Sequence, residues 1–176
     1  GEKLAWNYRY GYNWGDNAAI YPFYWRYRDM DSGKVERTIK FNFHFLNYMH
    51  RVNQPPVPEF EDNPSELFRA IYVQVLEPFD VKNTQLLIHR HDDDQVADNT
   101  WLYLGFQRRV RRLASGQITD SFLGSDLMIE DFEGYNGRLS DMNWSYKGTE
   151  NILLPFYNHN DMDLATDLED PEGYQF

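Results

Sequence analysis

Ile39-Lys40-Phe41-Asn42-Phe43-His44-Phe45 sets an apolar side chain at every second position and a polar one between each pair. Only an extended strand places residues i, i+2 and i+4 on one face, so this stretch reads as a β-strand with one buried side. Working outward, the strand spans residues 35–49. Ahead of it, Asp31-Ser32-Gly33-Lys34 has turn chemistry, with Gly where a positive φ costs little. Residues 19–30 then supply the partner strand, on which Tyr21, Phe23, Trp25 and Tyr27 share a face. Pro22 places that strand at an edge or at a bulge, because Pro has no N–H to give to a ladder. The hairpin therefore carries an aromatic stripe. Phe23, Trp25, Tyr27, Phe41, Phe43 and Phe45 are the candidate lining of an apolar binding face.

The pattern repeats downstream. Residues 67–77 alternate again, with Ile71, Val73 and Val75 on one side; residues 78–83 turn the chain; residues 84–91, 100–104 and 107–113 read as further strands. Residues 53–64 hold four prolines and three acids, and read as an irregular loop, a candidate entrance segment. Residues 8–14 read as a strand or an aromatic loop, residues 125–135 as a short helix capped by Ser125 or Asp126, and residues 144–147 with 152–157 as a last strand pair. The expected division is one β-rich domain over 1–158 and an acidic tail over 159–176.

Composition narrows the function. Aromatic residues make up 17% of the 176 positions, which suits both strands and apolar cavities. The net charge of −11 opposes general phosphate binding, so nucleic acid is not expected as a partner. Cysteine is absent, which removes disulfides and thiol chemistry. Uncharged runs such as residues 17–25 fall well short of the ~18 apolar residues of a membrane span. The start, Gly1 to Trp6, lacks the apolar run of a signal peptide, so export on this reading needs a signal outside this sequence.

Several clusters invite chemistry. Arg108-Arg109-Val110-Arg111-Arg112 precedes Asp126, Glu130 and Asp131, and the expectation is a structural ion network joining Arg109 or Arg111 to one of those acids. His89 and His91 share a strand face beside Asp92-Asp93-Asp94, a pattern that suits a metal or a solvated hairpin end. Asp161, Asp163, Asp167, Glu169 and Glu172 have the spacing of a calcium loop, but Ala165 and Thr166 stand where an oxygen ligand and the glycine belong. No metal or other cofactor is assigned. Neither a nucleophile elbow nor a His-Glu-Xaa-Xaa-His motif nor a phosphate-cradling glycine loop occurs, and the chain reads as non-enzymatic.

Leu76-Glu77-Pro78-Phe79-Asp80-Val81-Lys82-Asn83-Thr84, then Trp101-Leu102-Tyr103-Leu104, Gln107 to Arg112, Ser121-Phe122-Leu123-Gly124-Ser125-Asp126 and Glu130-Asp131-Phe132 follow in an order that resembles the bacterial outer-membrane lipoprotein-sorting (LolA/LolB-like) proteins, in particular their large uncharacterised branch. The resemblance covers residues 68–157, and Gly105-Phe106 departs from it where a proline-containing turn is expected. It implies a mainly β fold: a strongly curved antiparallel half-barrel with one or a few short helices and a cavity for acyl chains. It also implies a periplasmic or outer-membrane-facing location and association with envelope lipid exporters. The reading is a carrier for a lipid or another long apolar molecule. The alternative is a structural subunit of an envelope complex that uses its aromatic face or sheet edges for protein contact.

Overall fold

A computed structural model describes residues 1–11, 15–114, 120–132, 134–135 and 137–153. Two compact units divide the chain, Gly1–Ser145 and Tyr146–Phe176. The first unit holds helix α1 (Glu2–Gly11) and strands β1 (Asn17–Arg28), β2 (Val35–Asn47), β3 (Leu67–Glu77), β4 (Gln85–His91), β5 (Asn99–Leu104) and β6 (Arg109–Leu113). The strands form one antiparallel meander in sequence order, with β1 and β6 at the two edges. The sheet does not close into a barrel among the described residues, which makes the fold an open half-barrel.

Local chemistry explains the meander. At the β1–β2 turn, Asp29 Oδ1 accepts hydrogen bonds from the Ser32 N–H (2.8 Å) and the Ser32 hydroxyl (2.6 Å), and Gly33 takes a φ of +67°. In the body of the sheet, alternation sends Ile39, Phe41, Phe43 and Phe45 of β2 to the side of Ile71, Val73 and Val75 of β3 and of Leu86 and Ile88 of β4. That inner face is buried. Phe122 and Ile129 pack onto it from a segment that follows β6 and forms short 3-10 turns at Phe122–Gly124 and Ile129–Asp131.

The edge strand β1 is interrupted. Ile20 lies opposite Phe43 and Phe23 opposite Phe41, so Tyr21 and Pro22 together face Asn42, which is a bulge. Pro22 thus sits where the sequence expects it. Tyr21, expected on the aromatic stripe, is turned out to solvent, and Ile20 takes the inner place.

Three expectations are corrected. The stretch 8–14 is no strand where it is described: Tyr8 to Gly11 belong to α1, and residues 12–14 lie outside the described residues. The tyrosines at alternate positions imitate a period of two, but tertiary contacts decide. Arg9 pairs with Asp94 at 3.0 Å, and the Tyr10 ring packs 4.9 Å from Phe68. In place of the helix expected over residues 125–135 the described residues form one 3-10 turn, Ile129–Asp131; ahead of it Leu123 and Gly124 both take positive φ and Ser125 bonds back to the Phe122 carbonyl at 2.7 Å. The last strand pair is not formed over residues 144–153, which carry no ladder. Trp144 instead donates its indole N–H to the Leu139 carbonyl at 2.9 Å. Residues 154–157 and the acidic tail lie outside the described residues.

The loop between β2 and β3 is irregular, as its prolines require, but two buried charges organise it. Asp16 is 1% exposed and accepts the N–H groups of Val52 (2.8 Å), Asn53 (2.6 Å) and Gln54 (2.6 Å). Arg51 donates to the carbonyls of Asn47 (2.6 Å), Gln54 (3.0 Å) and Pro56 (2.8 Å). Prolines leave few backbone donors in such a loop, and these two side chains supply the hydrogen bonds that a ladder would have made.

Candidate functional site

A cavity of about 220 Å³ opens where β1 and β2 meet the segment laid over the sheet. Its wall is Ile20, Phe23 and Trp25 from β1, Phe41 and Phe43 from β2, and Leu127, Asp131 and Phe132 from the covering segment. The rings are mutually braced. Phe23 lies 4.7 Å from Phe41, Trp25 meets Phe41 edge-on at 5.7 Å, and Phe132 meets Trp25 at 6.0 Å and Phe122 at 5.6 Å. Edge-to-face pairs of this kind hold aromatic walls in fixed orientations. Phe23 and Leu127 are partly exposed and stand at the rim, whereas Phe41 and Phe43 are buried in the floor.

Four of the six side chains expected on the binding face therefore line the cavity: Phe23, Trp25, Phe41 and Phe43. Tyr27 and Phe45 do not. Tyr27 lies further along β1, where its hydroxyl donates to the Leu123 carbonyl at 3.1 Å and ties the covering segment down; burial raises its pKa. Phe45 is buried beneath the Arg69 guanidinium, 4.9 Å above its ring. Ile20, Leu127, Asp131 and Phe132 join the wall without having been singled out for it. Ile20 owes its place to the bulge, and the other three come from a segment with no periodicity to betray a buried face. The proline-rich loop, expected near an entrance, contributes no side chain to the described wall.

Beyond Phe45 the inner face turns polar. Asn47, Arg69 and Arg90 lie side by side across β2, β3 and β4, all buried. Arg69 Nε donates to Asn47 Oδ1 at 2.7 Å, and Arg90 pairs with Asp98 at 3.4 Å. Burial pushes the Glu130 carboxyl above its usual range, and the Arg90 charge partly opposes that.

This arrangement corrects the expected ion network. Among the described residues no ion pair joins Arg109 or Arg111 to Asp126, Glu130 or Asp131. Arg111 donates to Gln107 Oε1 at 2.9 Å, Arg112 donates to Asn99 Oδ1, and Asp131 Oδ2 accepts the Met128 N–H at 2.9 Å. The reason is topological. β6 is an edge strand whose arginines all face solvent, while the acidic segment crosses the sheet over β2 to β4.

His89 and His91 do share a face, the outer one. The His89 ring stands edge-on to Trp101 at 5.0 Å, and burial, with the neighbouring His91, lowers its pKa. Both ring nitrogens of His91 are engaged, Nδ1 with the Ser65 carbonyl and Nε2 with Asn99 Nδ2, each at 3.0 Å. Among the described residues no three metal-ligating side chains converge. The acidic residues of the calcium-like spacing lie outside the described residues.

A family of proteins of unknown function, DUF1329, matches residues 1–172. The chain belongs to the DUF1329 family. A DUF1329 protein from Desulfovibrio piger shares its fold with a TM-score of 0.56 and 21% identity, over 80% of this chain and 50% of that one. A domain from Vibrio parahaemolyticus named for outer membrane lipoprotein sorting shares it with a TM-score of 0.52 and 22% identity, over 75% of this chain and 47% of that one. The present DUF1329 chain thus spans about half the length of the solved structures it matches. No curated protein matches it. Among the described residues no helix is long and apolar enough to cross a membrane.

Proposed function

We propose that this DUF1329 chain is a non-enzymatic carrier that holds the apolar chain of a lipid or a similar molecule between β1, β2 and the covering segment. The observation that carries the reading is the cavity itself: seven of its eight wall residues are apolar, and five of those seven are aromatic. If each methylene occupies about the ~30 Å³ share of a water molecule, the cavity takes roughly seven carbons. At about 0.8 kcal/mol per buried methylene, such a chain gains roughly 5–6 kcal/mol, much of which is offset by the cost of association. Binding is then weak and reversible, as suits a molecule that must be handed on. Similarity to a domain named for lipoprotein sorting supports a place in the bacterial envelope, facing the periplasm, with an envelope transporter as partner.

Titration with the uncharged fluorophore 1-aminoanthracene, followed by displacement with 1-octanol, tests the reading. Wild type should bind the dye and release it. Phe23→Ala combined with Trp25→Ala should bind it about tenfold more weakly or worse. Equal binding by a folded double variant would remove the cavity as the site.

The second reading is a structural subunit of an envelope complex. It is favoured by the opposite face of the sheet, where His44, Tyr72, Leu87 and Trp101 form a half-buried row across β2 to β5. Sedimentation of wild type and Trp101→Glu tests it: concentration-dependent association lost in the variant would favour protein contact over carriage.

A further inference from the structure

Asp131 is the one charged side chain on the wall of the aromatic cavity among the described residues. It is half-buried, its Oδ2 is fixed by the Met128 N–H at 2.9 Å, and it forms no ion pair among the described residues. A carboxylate has lone pairs well beyond the one that this hydrogen bond uses. Asp126, exposed at the start of the same segment, adds a second negative charge beside the rim residue Leu127. Arg37, on the strand that forms the floor, is held by Asp80 at 2.6 Å.

We infer that Asp131 sets the head-group specificity of the cavity: it admits alkyl chains with a neutral hydroxyl-type or a cationic head and rejects those with a carboxylate or phosphate. This rests on the carrier reading and narrows it to a ligand class. The physical reason is that the chain and the head make separate demands. The rings reward any alkyl chain alike, so they cannot discriminate between head groups. A head group held against the part of the wall that Asp131 forms meets its carboxylate in a medium less polarisable than water, where like charges repel strongly and a hydroxyl or ammonium finds an acceptor. The net charge of −11 acts in the same direction at longer range.

The test compares octylamine, 1-octanol and octanoate at about neutral pH as competitors of 1-aminoanthracene, below the concentrations at which they self-associate. All three carry the same eight-carbon skeleton. For wild type, 1-octanol and octylamine should displace the dye, and octanoate should be weaker than 1-octanol by about tenfold or more. Asp131→Asn keeps an acceptor for the Met128 N–H and should bring octanoate to within about threefold of 1-octanol in the same variant. Wild-type octanoate binding as tight as 1-octanol overturns the inference and leaves the carrier reading standing. Discrimination that persists in Asp131→Asn removes Asp131 as its source. Failure of all three compounds to displace the dye overturns both. The wild-type comparison needs no substitution, so an unstable variant does not rescue the inference.

Discussion

The indole of Trp25 stands edge-on to the ring of Phe132 at 6.0 Å, and that contact couples the outermost strand of the sheet to the segment that covers it. An edge strand has a ladder on one side only. Here its second support is aromatic packing from above, through Trp25 with Phe132 and with Phe122 at 6.2 Å. Trp25 and Phe132 also wall the cavity, so the stability of β1 and the shape of the site share a cause.

That coupling is measurable. A double-mutant cycle on Trp25→Leu and Phe132→Leu, read from denaturant midpoints, should give an interaction energy of about 0.5–1.5 kcal/mol in favour of the pair. A value near zero would mean that the two elements are held independently.

Filling the cavity should separate binding from folding. Ile20 is half-buried on the wall, and Ile20→Trp places a large ring in space that no protein atom occupies. Displacement assays should show 1-aminoanthracene binding lost, while the melting temperature stays level or rises. Undiminished dye binding would place the dye elsewhere.

Asp16 should make the protein acid-sensitive. Burial pushes its carboxyl up, but the three N–H donors of residues 52–54 and the charge of Arg51 outweigh it and hold the carboxyl below its usual range. An acid with a depressed folded pKa contributes stability above its unfolded pKa of about 4 and loses it as pH falls through the folded value. Asp16→Asn should therefore cost stability at about pH 7, roughly 1–3 kcal/mol. Its deficit relative to wild type should shrink below about pH 4. Denaturant melts from acid to neutral pH report both.

Glu130 should behave in the opposite sense. Its raised carboxyl pKa means that the folded state holds the proton more tightly than the unfolded one, so stability is lost as pH rises from the unfolded value of about 4.3 through the folded one. Glu130→Gln should stabilise the protein at about neutral pH and make little difference near pH 4. A destabilised variant at neutral pH would show that the Arg90 charge outweighs burial.

Most of the sheet was legible because β2, β3 and β4 each bury one face, and alternation is the direct imprint of that. Leu67–Glu77 appears with the bounds its sequence suggests. What escaped has no such imprint. α1 is short and poorly amphipathic, and it is held by contacts as remote as Arg9 with Asp94. Asp131 reaches the cavity from the end of a 3-10 turn and Phe132 from the extended residue after it, where no fixed period links position to face. The arginines of β6 were misjudged for a different reason. Opposite charge close in sequence suggests pairing, but only the strand order tells that β6 ends the sheet while the acids lie over its middle. Asp16 and Arg51 left no sign at all, because a buried charge in a loop looks like any other loop residue until its donors and acceptors are placed.

The bulge at Tyr21 and Pro22 works as a change of parity. Before it, even-numbered residues of β1 face inward, Ala18 and Ile20; after it, odd-numbered ones do, Phe23, Trp25 and Tyr27. The cavity lies at the point of changeover, with Ile20 on its wall from the first phase and Phe23 and Trp25 from the second. Removing a single residue at the bulge would restore one phase throughout and carry either the aliphatic or the aromatic part of the wall to the solvent side. The two halves of the strand are thus free to vary in composition independently, but the count between Ile20 and Phe23 is not free to vary. In this strand the spacing of residues, as much as their identity, is part of the binding site.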